Sequence, residues 1–231
     1  MKSVGILVAM WEELNPLRKR WKLDWTGPGN FFTGKLGSLR VQVALSGVGA
    51  RRAQQAVEVL RVCGRPDLLV SLGFSAGLRA GQQAGDCYLA DSIEDPEGQV
   101  VEAPISPEHP RWRRGRLLCV DKLAASPQAK GRWAERHPLA QALDMESLWV
   151  ARSGLPWVAL RSLIDPLEEH LPLDLSQAMG PDGQVHSARL ARQVLVKPHQ
   201  WPKLLRFSQL SQRATRALVE SSTTLMEVLD S

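Results

Sequence analysis

The chain has 231 residues, 29 Lys plus Arg against 24 Asp plus Glu, a formal net charge of +5, and 44% hydrophobic residues. That apolar share is enough to bury a core and excludes a disordered chain. Three scattered cysteines (Cys63, Cys87, Cys119) exclude a disulfide scaffold, and no run of 18 apolar residues offers a spanning helix.

Val4 to Met10 is an apolar run with β-branched residues and reads as a buried parallel strand. It is too short for a secretory leader and no small-residue cleavage site follows, so a cytoplasmic protein is expected. Trp11-Glu12-Glu13-Leu14 opens a helix with acids in its first turn, which Pro16 should keep late or short. Gly27–Asn30 reads as a turn, and Phe31–Gly34 and Leu39–Leu45 as two strands joined at Lys35–Ser38. Ser46-Gly47-Val48-Gly49 then leads into a helix over 50–63. Leu68–Leu72 is a buried strand ending in Gly73-Phe74-Ser75-Ala76-Gly77, and Gly85-Asp86 introduces a strand Cys87–Ala90.

Residues 94–114 are polar and Pro-rich and read as a long loop, followed by a strand Leu117–Val120 and a helix Pro127–Arg136. Ala142-Leu143 leads into Asp144-Met145-Glu146, with Ser147–Ser153 helical. Pro156–Leu163 is a strand ending at Ile164-Asp165-Pro166. Residues 167–182 read as loop with a turn at Gly180–Gly183, and from Ser187 the chain reads as helix, interrupted by Pro198 and Pro202. The alternation predicts an α/β fold: three layers, α/β/α, around a central mixed sheet, with 166–231 a C-terminal loop and basic helical extension of one domain.

In such a sheet, ligands bind where strands end. Three acidic positions and one Arg fall there: Glu12 or Glu13, Asp144 or Glu146, Asp165, and Arg161. A carboxylic acid can protonate a leaving group while another carboxylate assists the attacker. An Arg can hold an anion or orient a carboxylate. Each piece has a plainer reading. Acids in a first turn serve the helix dipole, glycine-rich turns after strands are common, and Asp before Pro is often a turn residue. Ser75 fits Gly-x-Ser-x-Gly by letter, but the residues after it do not continue as the helix a nucleophile elbow needs. The histidines (109, 137, 170, 186, 199) lack metal-ligand spacing, so no metal and no cofactor is expected. The cysteines are expected as buried reduced thiols.

Jointly, Gly5–Glu13, Ser46–Gly49, Pro66-Asp67 through Leu78, Gly85-Asp86, Asp144–Glu146 and Arg161–Asp165 resemble the purine nucleoside phosphorylase and nucleosidase superfamily. Within it they are most similar to methylthioadenosine/adenosylhomocysteine nucleosidases. Asp165-Pro166, Leu171-Pro172, Gly180–Gly183 and Pro198 followed by a basic helix resemble the narrower hopanoid-associated phosphorylase-like proteins. That resemblance implies release of adenine from adenosylhopane; a generic nucleosidase or a phosphorylase is the alternative, and a non-catalytic nucleoside-binding protein the second. It implies that Asp165 is the general acid toward purine N7, Glu13 positions the nucleophile, and Arg161 sits near Glu13. Glu146 would bind ribose hydroxyls with Met145 packing on the sugar. Val48, Phe74, Ala124 and Ile164 would line the pocket. A homodimer is the implied assembly.

Two positions depart from the family pattern. Phe74 and Ile164 stand where the nucleosidases carry serine, so two hydroxyls are replaced by apolar surface. Water is favoured as nucleophile over phosphate, since no second Arg clearly belongs to an anion site.

The charge excess is local. Residues 189–219 hold seven basic residues and no acid, leaving 22 basic against 24 acidic residues elsewhere. Nucleic acid is therefore not expected as a partner. The Leu-rich basic segment carrying Trp201 reads either as an interfacial membrane helix or, more simply, as a solvated basic face packed by its leucines.

Overall fold

The computed structural model describes residues 2–26, 30–170 and 201–231. In chain order these form β1 (Ser3–Val8), α1 (Trp11–Trp21), β2 (Asp24–Trp25), β3 (Phe31–Leu36), β4 (Leu39–Leu45) and α2 (Ala50–Val59), which runs into a π-turn at Leu60–Gly64. Then come β5 (Leu68–Gly77), β6 (Cys87–Glu94), β7 (Val100–Glu102), β8 (Arg113–Cys119), α3 (Pro127–Arg136) and β9 (Ala140–Asp144). Last are α4 (Ser147–Ala151), β10 (Trp157–Asp165) and α5 (Trp201–Asp230).

The strands form one mixed sheet in the order β10-β6-β8-β9-β5-β1-β4-β3-β2, with β7 beside β6 and a second pairing of β10 on β5. That extra pairing closes β5, β10, β6, β8 and β9 into a ring. β1, β4, β5 and β10 are mutually parallel neighbours, so their carboxyl ends open on one side.

Two apolar layers cover the sheet. Along β1 the period of two sends Val4, Ile6 and Val8 to one face, where they pack with Leu14 and Leu17 of α1 and Leu225 and Met226 of α5. Leu7 points to the other, among Ala53 and Val57 of α2 and Val150 of α4. The architecture is thus the three-layer α/β/α arrangement expected, with the C-terminal helix part of a layer rather than an appendage. Leu218, Leu225 and Leu229 of α5 are buried against the domain, while Leu205 in the basic segment is 68% exposed. No described helix is long and apolar enough to cross a membrane.

Several boundaries differ from the sequence reading. α1 continues through Pro16, because the carbonyl left without its usual donor is that of exposed Glu12, which water can satisfy. Pro202 likewise starts α5 instead of breaking it, being in the first turn where an N–H has no helical partner. The helix after Gly49 ends at Val59 in a π-turn rather than at residue 63.

β5 does not stop at Leu72. It runs to Gly77 with every position buried, so the Gly73–Gly77 segment lies inside a strand. Residues 94–114 are not one loop. They contain β7 and the start of β8, whose Arg113, Arg114 and Arg116 hide a strand from a hydropathy reading but pair with Asp86, Asp91 and Glu94 along β6. Cys87 and Cys119 are buried as expected, but Cys63 in the π-turn is exposed. The predicted turn at Gly27–Gly29 and the readings for 171–200 fall outside the described residues.

Candidate active site

The open side of the sheet holds a cavity of about 200 Å³. Its walls are the β1–α1 junction (Ala9, Met10, Glu12, Glu13), Val48, the middle of β5 (Phe74, Ser75, Ala76), the end of β9 (Leu143 to Glu146), Ile164-Asp165, and Leu123, Phe207 and Ser211. Glu13, Glu146, Met145, Val48, Phe74, Ile164 and Asp165 therefore meet in one place. Arg161 and Ala124 do not line it.

Glu13 is the third residue of α1, where a carboxylate faces the helix N-terminus. Its Oε2 accepts the Met10 N–H at 2.8 Å and the Ala9 N–H at 3.1 Å, and its Oε1 accepts the Phe74 N–H at 2.7 Å. The reach to β5 depends on Gly73, because a Cβ there would stand 2.7 Å from Glu13 Oε1. Burial pushes the Glu13 carboxyl up to about 7, against the pull of these amides and of Arg161.

β9 runs antiparallel to β5, with Leu143 opposite Ala76. That register carries Asp144 and Glu146 back along β5 toward Glu13. Glu146 Oε1 accepts the Gly49 N–H at 3.0 Å, at a backbone φ of +105° that favours glycine. Burial, and then repulsion from Asp144, push Glu146 up to about 8.

Arg161 lies beneath this floor and is 1% exposed. Its Nε donates to Asp144 Oδ2 at 2.7 Å, and its Nη2 to Ser71 Oγ at 2.7 Å and to Asp144. Burial disfavours its charge, but the carboxylates of Asp144, Glu146 and Glu13 outweigh this and hold it protonated. The geometry gives Arg161 the role of a counter-charge under three acids rather than a group in the cavity. Ala124 sits instead in a separate apolar cluster with Leu118, Val120 and Leu143.

Asp165 owes its direction to a β-bulge. Leu163 pairs with Ser75 and Asp165 with Ala76, so Ile164 is an extra residue. Strict alternation would turn Ile164 and Asp165 to opposite faces; the bulge lets both border the cavity. Asp165 Oδ1 lies 2.9 Å from Lys130 Nζ, while its buried Oδ2 has no hydrogen-bond partner among the described residues. Burial pushes Asp165 up to about 6, against the pull of Lys130. Ser75 lies within β5 with its Oγ unpartnered, and among the described residues no histidine lines the cavity to activate it.

Lys130, Phe207 and Ser211 carry no functional signal in the sequence. Lys130 sits in the run Gln128-Ala-Lys-Gly-Arg-Trp, which reads as an ordinary solvated helix, and Phe207 is brought in by α5 from far along the chain. No local signal marks either. Among the described residues no cluster of histidine, cysteine and acidic side chains suits a metal.

Residues 3–102 match the family model of the Phosphorylase superfamily. The chain is 22% identical over 201 residues, 72% of its length and 87% of the relative's, to a 5'-methylthioadenosine/S-adenosylhomocysteine nucleosidase of Maridesulfovibrio salexigens. It is 24% identical over 227 residues to the enzyme of the same name from Exiguobacterium sp., covering 83% of this chain and 97% of that one. Among solved structures, the Helicobacter pylori 5'-methylthioadenosine/S-adenosyl homocysteine nucleosidase superposes with a TM-score of 0.71 over 98% of both chains at 17% identity. The futalosine hydrolase of the same organism gives 0.69, also over 98% of both, at 16% identity. The fold is that of these nucleosidases.

Proposed function

We propose that the chain is a nucleosidase that hydrolyses the N-glycosidic bond of 5′-substituted adenosines of the methylthioadenosine/adenosylhomocysteine type, releasing adenine. One observation carries the reading: Asp165, with one oxygen unpartnered among the described residues, shares a single cavity with Glu13 and Glu146. The relatives and structural neighbours support the reaction class.

In this reading Asp165, protonated, gives its proton to purine N7, so that the leaving base departs neutral as the C1′–N9 bond breaks. Glu13 takes a proton from the water that bonds to C1′. Glu146 binds ribose hydroxyls and, in its ionised form, stabilises positive charge developing on the ring. The products are adenine and the 5′-substituted ribose.

Water is the nucleophile this cavity favours. Among the described residues, Glu12, Glu13, Asp144, Glu146 and Asp165 line it and no Lys or Arg does; Arg161 is already held by Asp144 and Ser71. Among these residues a phosphate dianion would meet an acidic field and no cation. Phosphate independence of adenine release tests this directly.

A larger apolar 5′ group, with adenosylhopane as its named example, is the second reading. It is supported by Met10, Phe74, Ile164 and Phe207 on the cavity wall. The residues behind the hopanoid resemblance at 171–183 and 198 lie outside the described residues, and the relatives favour the methylthioadenosine type. Competition between short and long 5′-alkylthioadenosines decides between them.

A further inference from the structure

The only residue of α3 that is wholly buried is a lysine. The helix starts at Ser126, whose side chain accepts the Ala129 N–H, and half-buried Ala129 and Trp133 pack on the β5–β8–β9 cluster, which turns Lys130 inward. A buried ammonium must be fully satisfied to be tolerated. Lys130 Nζ has three donors and meets three acceptors: Asp165 Oδ1 at 2.9 Å, the Pro166 carbonyl at 2.5 Å and the Glu169 carbonyl at 2.8 Å.

We propose that Lys130 is a positioning residue for Asp165: its ammonium fixes the Oδ1 edge of the carboxyl and clamps the chain leaving β10, so that Oδ2 is the oxygen presented to the ligand. This rests on Asp165 being the proton donor. With all three protons committed, Lys130 has none to offer a substrate, so it acts through Asp165 alone. The two carbonyl contacts hold the backbone on the far side of the bulge, which fixes the carboxyl against rotation.

The same contact sets the proton affinity of Asp165. Burial raises it and the Lys130 charge lowers it, while Glu169 raises it further. Glu168 and Glu169 also face Lys130 from the segment after β10, and Arg206 of α5 pairs with Glu169 and blunts its charge. Glu13 and Glu146 border the same cavity. Of these groups, Lys130 alone touches the Asp165 carboxyl, so its removal should move that titration most.

The test is carbon-13 NMR titration of the Asp165 carboxyl in the full chain, assigned with Asp165→Asn, for wild type, Lys130→Met and Lys130→Arg. Lys130→Met should bind the Asp165 proton about tenfold more tightly or more. Lys130→Arg, which keeps the charge, should titrate near the wild type. Lys130→Gln, neutral but still a donor, replaces Lys130→Met if that variant does not fold.

In steady-state assays of adenine release, Lys130→Met should lose kcat by about 10- to 100-fold with little change in KM. The alkaline limb of its pH profile should move to higher pH, a displacement that a merely structural lysine would not cause. An unchanged Asp165 titration in folded Lys130→Met overturns the proposal. A shifted titration in a protein that releases no adenine from any adenosine would sustain the Lys130–Asp165 pairing and sink the proposed function, so the two failures are distinct.

Discussion

Glu13 Oε1 accepts the backbone N–H of Phe74 at 2.7 Å, joining the first turn of α1 to the middle of β5. The contact uses the amide and not the side chain. A phenylalanine at position 74 therefore leaves the anchor of Glu13 intact, while its ring packs against Ala214 and Leu218 of α5.

The anchor should instead be sensitive at the preceding residue. A methyl at position 73 would stand 2.7 Å from Glu13 Oε1 and displace the carboxylate. Gly73→Ala is expected to lower kcat/KM about 100-fold or more, within the range for loss of a positioned acid–base group. Phe74→Leu, which keeps the amide, should retain kcat within about tenfold.

Stability should fall as pH rises from about 5 to about 8.5. Glu13, Glu146 and Asp165 have folded-state pKa values raised to about 7, 8 and 6. Between the ordinary carboxylate range and those values the unfolded chain ionises first, so the native state holds more protons and stability declines with pH. Thermal unfolding should show a Tm lower by roughly 5 °C or more at pH 8.5 than at pH 5. The double variant Glu13→Gln/Glu146→Gln should flatten the dependence; an equal slope in that variant would refute the assignment.

The pH dependence of kcat/KM follows from the same groups. Glu13 must be ionised to take a proton and gains that form as pH rises through about 7. Asp165 must be protonated to give one and loses that form above about 6. The productive pairing is a minority state, and kcat/KM should peak between pH 6 and 7 and fall on both sides. Asp165→Asn should abolish the bell. A flat profile from pH 5 to 9 would exclude both roles.

Arg161 should matter to folding before it matters to catalysis. Removing it leaves Asp144, Glu146 and Glu13 buried together without their cation. Arg161→Met is expected to cost about 3–5 kcal/mol in chemical unfolding, the range for breaking a buried pair from one side. A loss below about 1 kcal/mol would show that the acids simply take up protons in its absence.

Much of the layout was legible in the chain because strand ends carry their chemistry locally. Glu13, Val48, Met145-Glu146 and Ile164-Asp165 each follow a readable strand, and the parallel order of β1, β4, β5 and β10 brings most of these ends together. What escaped the sequence was set by pairing and packing. The Arg-rich start of β8 joins the sheet through backbone pairing with β6, whose nearby acids its arginines meet. Lys130 is buried only because α3 lies over the segment that leaves β10. Arg161 lies inside a readable strand, yet its partners Asp144 and Ser71 come from β9 and β5, and they keep it out of the cavity.

The central claim is tested most directly by following adenine release from 5′-methylthioadenosine chromatographically, with and without phosphate, for the wild type and Asp165→Asn. The account predicts release by the wild type at a rate independent of phosphate, and a loss of about 100-fold or more in Asp165→Asn. No release from 5′-methylthioadenosine or a longer 5′-alkylthioadenosine, or an undiminished rate in Asp165→Asn, would contradict it.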